Sequence, residues 1–205
     1  MTIAPAHGHP KWGDLPAAIH GLGARFGLRA LEQRHSSRAM LGTYVLINSA
    51  ISIAILSVVA MVTKQPFIFP SLGPTAFLLF YAATNVQAAP RSAFFGHLIG
   101  VLAGYTSLVV FGLTTTAPDL EDVTWDRVGA ATMSLCLTLS VMVWLGVPHA
   151  PAGATTLIVS LGLLRTPEQL TVLMLAVVLL LVQGFLINRL AGLPYPVWAP
   201  RPQPE

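Results

Sequence analysis

The chain has 205 residues, 54% of them apolar and only 9% charged, with a formal net charge of +3. A soluble domain carries about a quarter charged residues, so this composition excludes a water-solvated globule and requires lipid around much of the surface. One cysteine, Cys136, excludes an intramolecular disulfide and is expected to serve packing; no ligand spacing points to a metal or cofactor.

Residues 1–13 are rich in Pro, Gly and His and lack the apolar core of a signal peptide, although a basic, acid-poor plastid transit peptide stays open. From Asp14 to Arg38, Leu15, Ile19, Leu22 and Phe26 recur at helical spacing opposite Arg25, Arg29 and Arg34. The pattern fits an amphipathic helix in the cytoplasmic interface, with a merely solvated leader as the alternative. Residues 1–40 are therefore read as a cytoplasmic segment, 41–190 as the membrane domain and 191–205 as a cytoplasmic tail.

Leu41 to Val62 is the first span, roughly 33 Å long, with Asn48, Ser49, Ser52 and Ser57 marking a protein-facing side. Prolines 66, 70 and 74 then interrupt regular helix. Thr75 to Asn85 forms a helix of roughly 16 Å, enough for half the hydrocarbon core. Ser92 to Gly112 spans again, with Gly96, Gly100 and Gly104 on one face for close contact within the chain or with a second copy. An acidic loop precedes the span Arg127–Val147; Pro148 and Pro151 break it, and Ala152–Leu164 is a second half-length helix. Thr166 as N-cap and Pro167 at the first helical position open the last span, which runs to Leu190.

The order of span, broken half-helix and span thus occurs twice, as repeat one over 41–112 and repeat two over 127–190. The expected fold class is an all-α polytopic membrane protein of two three-segment repeats. If each broken segment completes a crossing, each half crosses three times and the halves face opposite ways. The loop before Arg127 lacks Lys and Arg, which places it outside and both Arg-bearing chain ends in the cytoplasm.

Broken segments at matching places in two halves point to a transport site near the bilayer midplane. Each half-helix N-terminus exposes amides without intrahelical partners and about half a positive charge of macrodipole. Two such ends make a site for a small monovalent anion without a fixed cation. The candidate binding residues are Ser71, Leu72, Gly73, Thr75 and Ala76 in the first opening and Gly153, Ala154, Thr155 and Thr156 in the second, with most of the attraction from the amides of 72–76 and 152–156. His149 lies in the second opening and His97 one turn into the third segment. Either histidine donates to the anion or carries a proton with it; the alternative for His97 is a bond that holds the bundle together. Arg91 and Arg165 each follow a half-helix and are expected to neutralise its C-terminal dipole. Neither opening holds Asp or Glu, so a dehydrated metal cation lacks a strong ligand. No paired carboxylates and no Ser/His/Asp set point to an enzyme.

Pro70-Ser71-Leu72-Gly73-Pro74-Thr75-Ala76, Gln87-Ala88-Ala89-Pro90-Arg91, Gly96-His97 and Pro148-His149-Ala150-Pro151-Ala152-Gly153-Ala154-Thr155 together resemble the HPP family of small integral membrane proteins. The family's His-Pro-Pro signature stands here as His149-Ala150-Pro151. Family members in plastids and cyanobacteria are implicated in nitrite transport, so the resemblance implies a nitrite-type anion. The sequence reading is transport of a small inorganic anion, nitrite first, with a non-transporting accessory or scaffold protein as the competing class. Channel or carrier action, proton coupling and oligomeric state stay open. The lack of a clear targeting segment favours a bacterial inner membrane.

Overall fold

A computed structural model describes residues 37–199. The amphipathic helix expected over 14–38 lies outside the described residues except for its last two positions, which open the first membrane helix. The described residues form six α-helices and one 3-10 turn, with no strand.

Helix α1, Ser37–Thr63, is long and strongly apolar. Its polar residues mostly turn back on their own helix rather than face the bundle. Asn48 donates to the Tyr44 carbonyl and Ser57 to the Ile53 carbonyl, at 2.8 and 2.7 Å. Such back-bonding satisfies a polar side chain inside lipid without a partner helix. Only Ser52 of the four polar residues expected on the protein-facing side is fully buried.

Helix α2 runs Leu72–Tyr81. It starts three residues earlier than the proline pattern implied, because Pro74 falls in the first turn, where a missing N–H costs nothing. A 3-10 turn at Val86–Ala88 leads to α3, Pro90–Val110. The acidic loop follows, and Asp119 stiffens it: its carboxylate accepts the Asp122 and Glu121 amides, which hold it below the usual range. Helix α4 is Trp125–Trp144, capped by the Thr124 hydroxyl. Helix α5, Ala152–Ser160, stops four residues short of the expected end because Gly162 turns the chain at φ +84°. Helix α6, Pro167–Leu190, opens with Thr166 and Gln169 in a reciprocal capping box and Pro167 at the first position.

Four helices, α1, α3, α4 and α6, are long and apolar enough to cross a membrane. Helices α2 and α5, of 10 and 9 residues, rise only about 13–15 Å each, half a hydrocarbon core. Cys136 lies on the exposed face of α4, open to lipid rather than inside the packing.

Hydrogen bonds between distant helix ends set the path of the chain. At one end, Tyr44 of α1 donates to Asn188 of α6, and Asn188 donates to the Leu79 carbonyl near the close of α2. The same region receives the residues after α6: the buried Tyr195 donates to the Ala88 carbonyl, and the Arg91 amide to the Trp198 carbonyl. At the other end, Gln65 after α1 meets Glu168 at the start of α6. Helix α2 therefore ends beside the start of α1, and α3 leaves from that same end. Setting α1, α2 and α3 against α4, α5 and α6, these helix pairings match: α1 with α2 and α4 with α5, α3 with α5 and α6 with α2, α3 with α4 and α6 with α1.

Arg127 closes the far end of α5. Its guanidinium donates to the Ser160 carbonyl and to the carbonyls of Thr116 and Ala117, at 3.3–3.4 Å. The fold thus buries Arg127 at the same helix dipole that Arg165 is expected to neutralise. Arg127→Met is expected to lower stability by about 1.5–3 kcal/mol, the worth of charge-assisted hydrogen bonds. Arg127→Lys should recover only part, because an ammonium cannot fork to three carbonyls. Thermal melting of the purified protein in detergent checks this, and a methionine variant that melts with the parent contradicts it.

Candidate functional site

The two half-helices place the same residue type at the same position. Thr75 is the fourth residue of α2 and Thr155 the fourth of α5; Gly73 and Gly153 are each the second. Between the threonines stands His97 of α3. Its Nε2 lies 3.0 Å from the Thr75 hydroxyl and its Nδ1 2.7 Å from the Thr155 hydroxyl. His149, from the break before α5, joins them: its Nε2 is 3.2 Å from both Thr75 Oγ1 and His97 Nε2. The four side chains are 0–1% exposed and form one closed polar cluster in an apolar bundle.

The break is held in place by Gln87, which the sequence reading did not single out as a site residue. Its main-chain carbonyl accepts from His149 Nδ1 at 2.7 Å, and its side-chain oxygen accepts the Ala150 amide at 3.0 Å. The available signal was an uncharged amide in the break between α2 and α3, inside the Gln87-Ala88-Ala89-Pro90 run.

Packing of α3 on α5 depends on the glycine face. A Cβ on Gly96 would meet His149 Cβ at 2.7 Å, and one on Gly100 would meet the Ala152 carbonyl oxygen at 2.9 Å. One on Gly104 would meet Val159 Cβ at 2.7 Å. This face is used within the chain. The absence of Cβ atoms lets α3 approach α5 closely enough for His97 to reach Thr155.

The other candidate residues divide by direction. Leu72 and Ala76 pack into the hydrophobic core. Thr156 turns away from the cluster: its hydroxyl bonds the Ala152 carbonyl and meets Thr138 of α4 at 2.8 Å. Adjacent helical residues point about 100° apart, so Thr155 and Thr156 cannot face one site together. Gly153 and Ala154 are partly exposed, and Gly73 is exposed. Ser71 contributes its carbonyl, which accepts from Thr75 at 2.8 Å, while its own buried hydroxyl has no partner. Ser92, one turn before Gly96, likewise carries a buried hydroxyl without a partner.

The backbone amides differ from the expectation of two open N-termini. In the second opening the amides of Ala152, Gly153, Ala154 and Thr155 are already bonded to the carbonyls of His149, Ala150 and Pro151. In the first, the Leu72 amide is bonded to Phe69 and Thr75 makes a long contact to Ser71, while Pro74 has no N–H. Tight turn bonds ahead of each helix absorb most of the donors that an abrupt start would leave free, although the Gly73 amide of α2 makes no backbone hydrogen bond among the described residues. Side chains, more than amides, are what this site presents. Among the described residues no group of three His, Cys, Asp or Glu side chains is placed to hold a metal ion.

Four apolar crossing helices with two interrupted half-helices, and a buried histidine–threonine cluster where the interruptions meet, define a polytopic helical membrane protein with its polar chemistry inside the bundle. The chain belongs to the HPP transmembrane family: the family description "HPP, transmembrane region" matches residues 33–196. No curated protein and no solved structure matches it.

Proposed function

We propose that this protein carries a small monovalent inorganic anion, nitrite first among candidates, across a membrane between the N-termini of α2 and α5. The observation that carries the reading is that the fourth-residue hydroxyls of both half-helices meet on the two nitrogens of one buried histidine. A polar cluster of this kind is costly inside a bilayer and marks a substrate path. The cluster holds no carboxylate to bind a cation and no fixed Lys or Arg to trap an anion irreversibly. The unpartnered hydroxyls of Ser71 and Ser92 offer donors not consumed by the fold. The choice of nitrite leans on the family resemblance. The matched helix pairings support reading the halves as an inverted repeat that rocks about the site. The arginines before α1 support placing the N-terminal end of the membrane domain in the cytoplasm, and an odd number of crossings in each half would bring the end of α6 to the same side.

A non-transporting accessory role is the second reading. It is favoured by one specific fact, that each of the four side chains has a partner within the cluster, so that burying them does not itself require a ligand. Reconstitution into liposomes separates the two. Saturable nitrite uptake, tested against nitrate, formate and chloride, is the expected result. Thr75→Val with Thr155→Val removes both hydroxyls at nearly constant volume. At about 0.5–1.5 kcal/mol per lost bond, uptake should fall about tenfold or more while the protein still assembles. Parental flux through the assembled double variant would remove the site, and no flux of any of the four anions would favour the accessory role.

A further inference from the structure

The hydrogen-bond inventory of the cluster leaves one contact without a proton. His149 Nδ1 faces the Gln87 carbonyl at 2.7 Å, and a carbonyl only accepts, so that nitrogen carries the proton. In the neutral ring His149 Nε2 is then a bare lone pair. It faces His97 Nε2 and the Thr75 hydroxyl, both at 3.2 Å. His97 must therefore carry its proton on Nε2 and accept from the Thr155 hydroxyl on Nδ1. The Thr75 hydrogen goes to the Ser71 carbonyl, its closest acceptor at 2.8 Å. The Thr75–His149 contact is left with acceptors on both sides.

One added proton on His149 Nε2 fills that contact, provided the His97 proton moves from Nε2 to Nδ1, since two facing ring N–H groups would otherwise repel. In that arrangement His149 Nε2 donates to His97 Nε2 and His97 Nδ1 donates to Thr155. The His149–His97 pair thus shares that proton along one hydrogen-bonded path from the break before α5 to Thr155, with the Gln87 carbonyl as a fixed acceptor at its end. A second added proton is excluded, because two imidazolium nitrogens 3.2 Å apart would repel strongly in an apolar site.

The charged and titratable groups around the pair do not neutralise that proton. From α2 it is faced by Thr75, from α5 by Thr155 and from the 3-10 turn by Gln87, all uncharged. Of the elements packed on α3, α4 carries Asp126 and Arg127 at its start and Cys136 on its exposed face. Helix α6 carries Glu168 in its first turn and Arg189 in its last. On α3 itself Arg91 stands in the first turn and Tyr105 two turns beyond His97. A cation on the pair thus lacks a protein counter-ion, and an unpaired charge inside a bundle is costly.

We infer that the His97–His149 pair takes up one proton per cycle and that the transported anion is its counter-ion, so that the two cross together as an electroneutral one-to-one symport. This rests on the anion-transport reading above. The balance is simple: one proton and one monovalent anion enter on one side and leave on the other, and no covalent bond to the anion forms or breaks. Linkage makes the coupling reciprocal, each species raising the affinity for the other.

The test uses the full chain in liposomes with a trapped pH indicator and the potential clamped by potassium and valinomycin. Flux in protein-free vesicles, which reports diffusion of nitrous acid, is subtracted. One pH unit, acid outside, should drive nitrite accumulation up to about tenfold with matching internal acidification, and a potassium diffusion potential should not change it. His149→Gln and His97→Gln, checked for monodisperse elution, should lose the dependence on the pH gradient. Nitrite accumulation that follows the potential and ignores the pH gradient overturns the symport and leaves the anion site standing. Protein-dependent flux of no anion overturns both. If the glutamine variants fail to fold, the parent measurement alone decides.

Discussion

His97→Ala is expected to abolish anion uptake and to lower stability by about 1–3 kcal/mol. The imidazole bonds a hydroxyl from each half-helix and also lies beside His149, with one ring nitrogen toward α5 and the other toward α2. Without the ring, His149 Nε2 and Thr155 lose a partner in a site that water and lipid do not reach. Thr75 keeps its bond to the Ser71 carbonyl, so the damage concentrates on the α5 side. His97→Gln should recover part of the stability, since an amide still donates and accepts, but it carries no added proton. Melting temperature and liposomal uptake, measured on the same preparations, separate the two effects. An alanine variant that melts and transports like the parent would show that the histidine bridge neither holds the half-helices nor serves flux.

Gly100→Val should be the most damaging change outside the polar cluster. The first added carbon already meets the Ala152 carbonyl oxygen and the Thr156 hydroxyl, each at 2.9 Å. The carbonyl belongs to the backbone of α5 and cannot rotate away, so the helices must separate. Overpacking of this kind costs about 1–3 kcal/mol or more, which corresponds to a fall of about 2–12 °C in melting temperature for a chain of this size. Separation of α3 from α5 also draws His97 from Thr155, so uptake should fail with the fold still largely helical. Gly42→Ala gives the contrast: nothing lies within 4 Å of the added carbon, and alanine favours helix by about 0.5–1 kcal/mol. Equal melting of the two variants would refute the tight α3–α5 contact.

Composition and hydropathy made the membrane crossings legible, because residues such as Leu46, Val58 and Met61 face lipid whatever packs behind them. Proline placement located both interruptions. It misplaced the half-helix limits, since Pro74 is tolerated in a first turn and Gly162 reverses the chain before Leu164. Thr75, Thr155, His97 and His149 were all visible as polar residues near the breaks, but Gln87 and Arg127 were not visible in the roles they hold. A carbonyl acceptor has no signature in a side-chain pattern, and Arg127 finds Ser160 only after α4 and α5 have packed.

The sequence by itself determined the solvent, the number of apolar crossings and the two places where helix cannot continue, because those follow from local composition and from the missing donor of proline. The tertiary structure alone decided that residues 22, 52, 58 and 74 positions apart converge on one proton-poor cluster. That convergence depends on how closely a glycine-faced helix approaches a half-helix, and on which way two neighbouring threonines point once it does. Both are properties of packing, which no local pattern encodes.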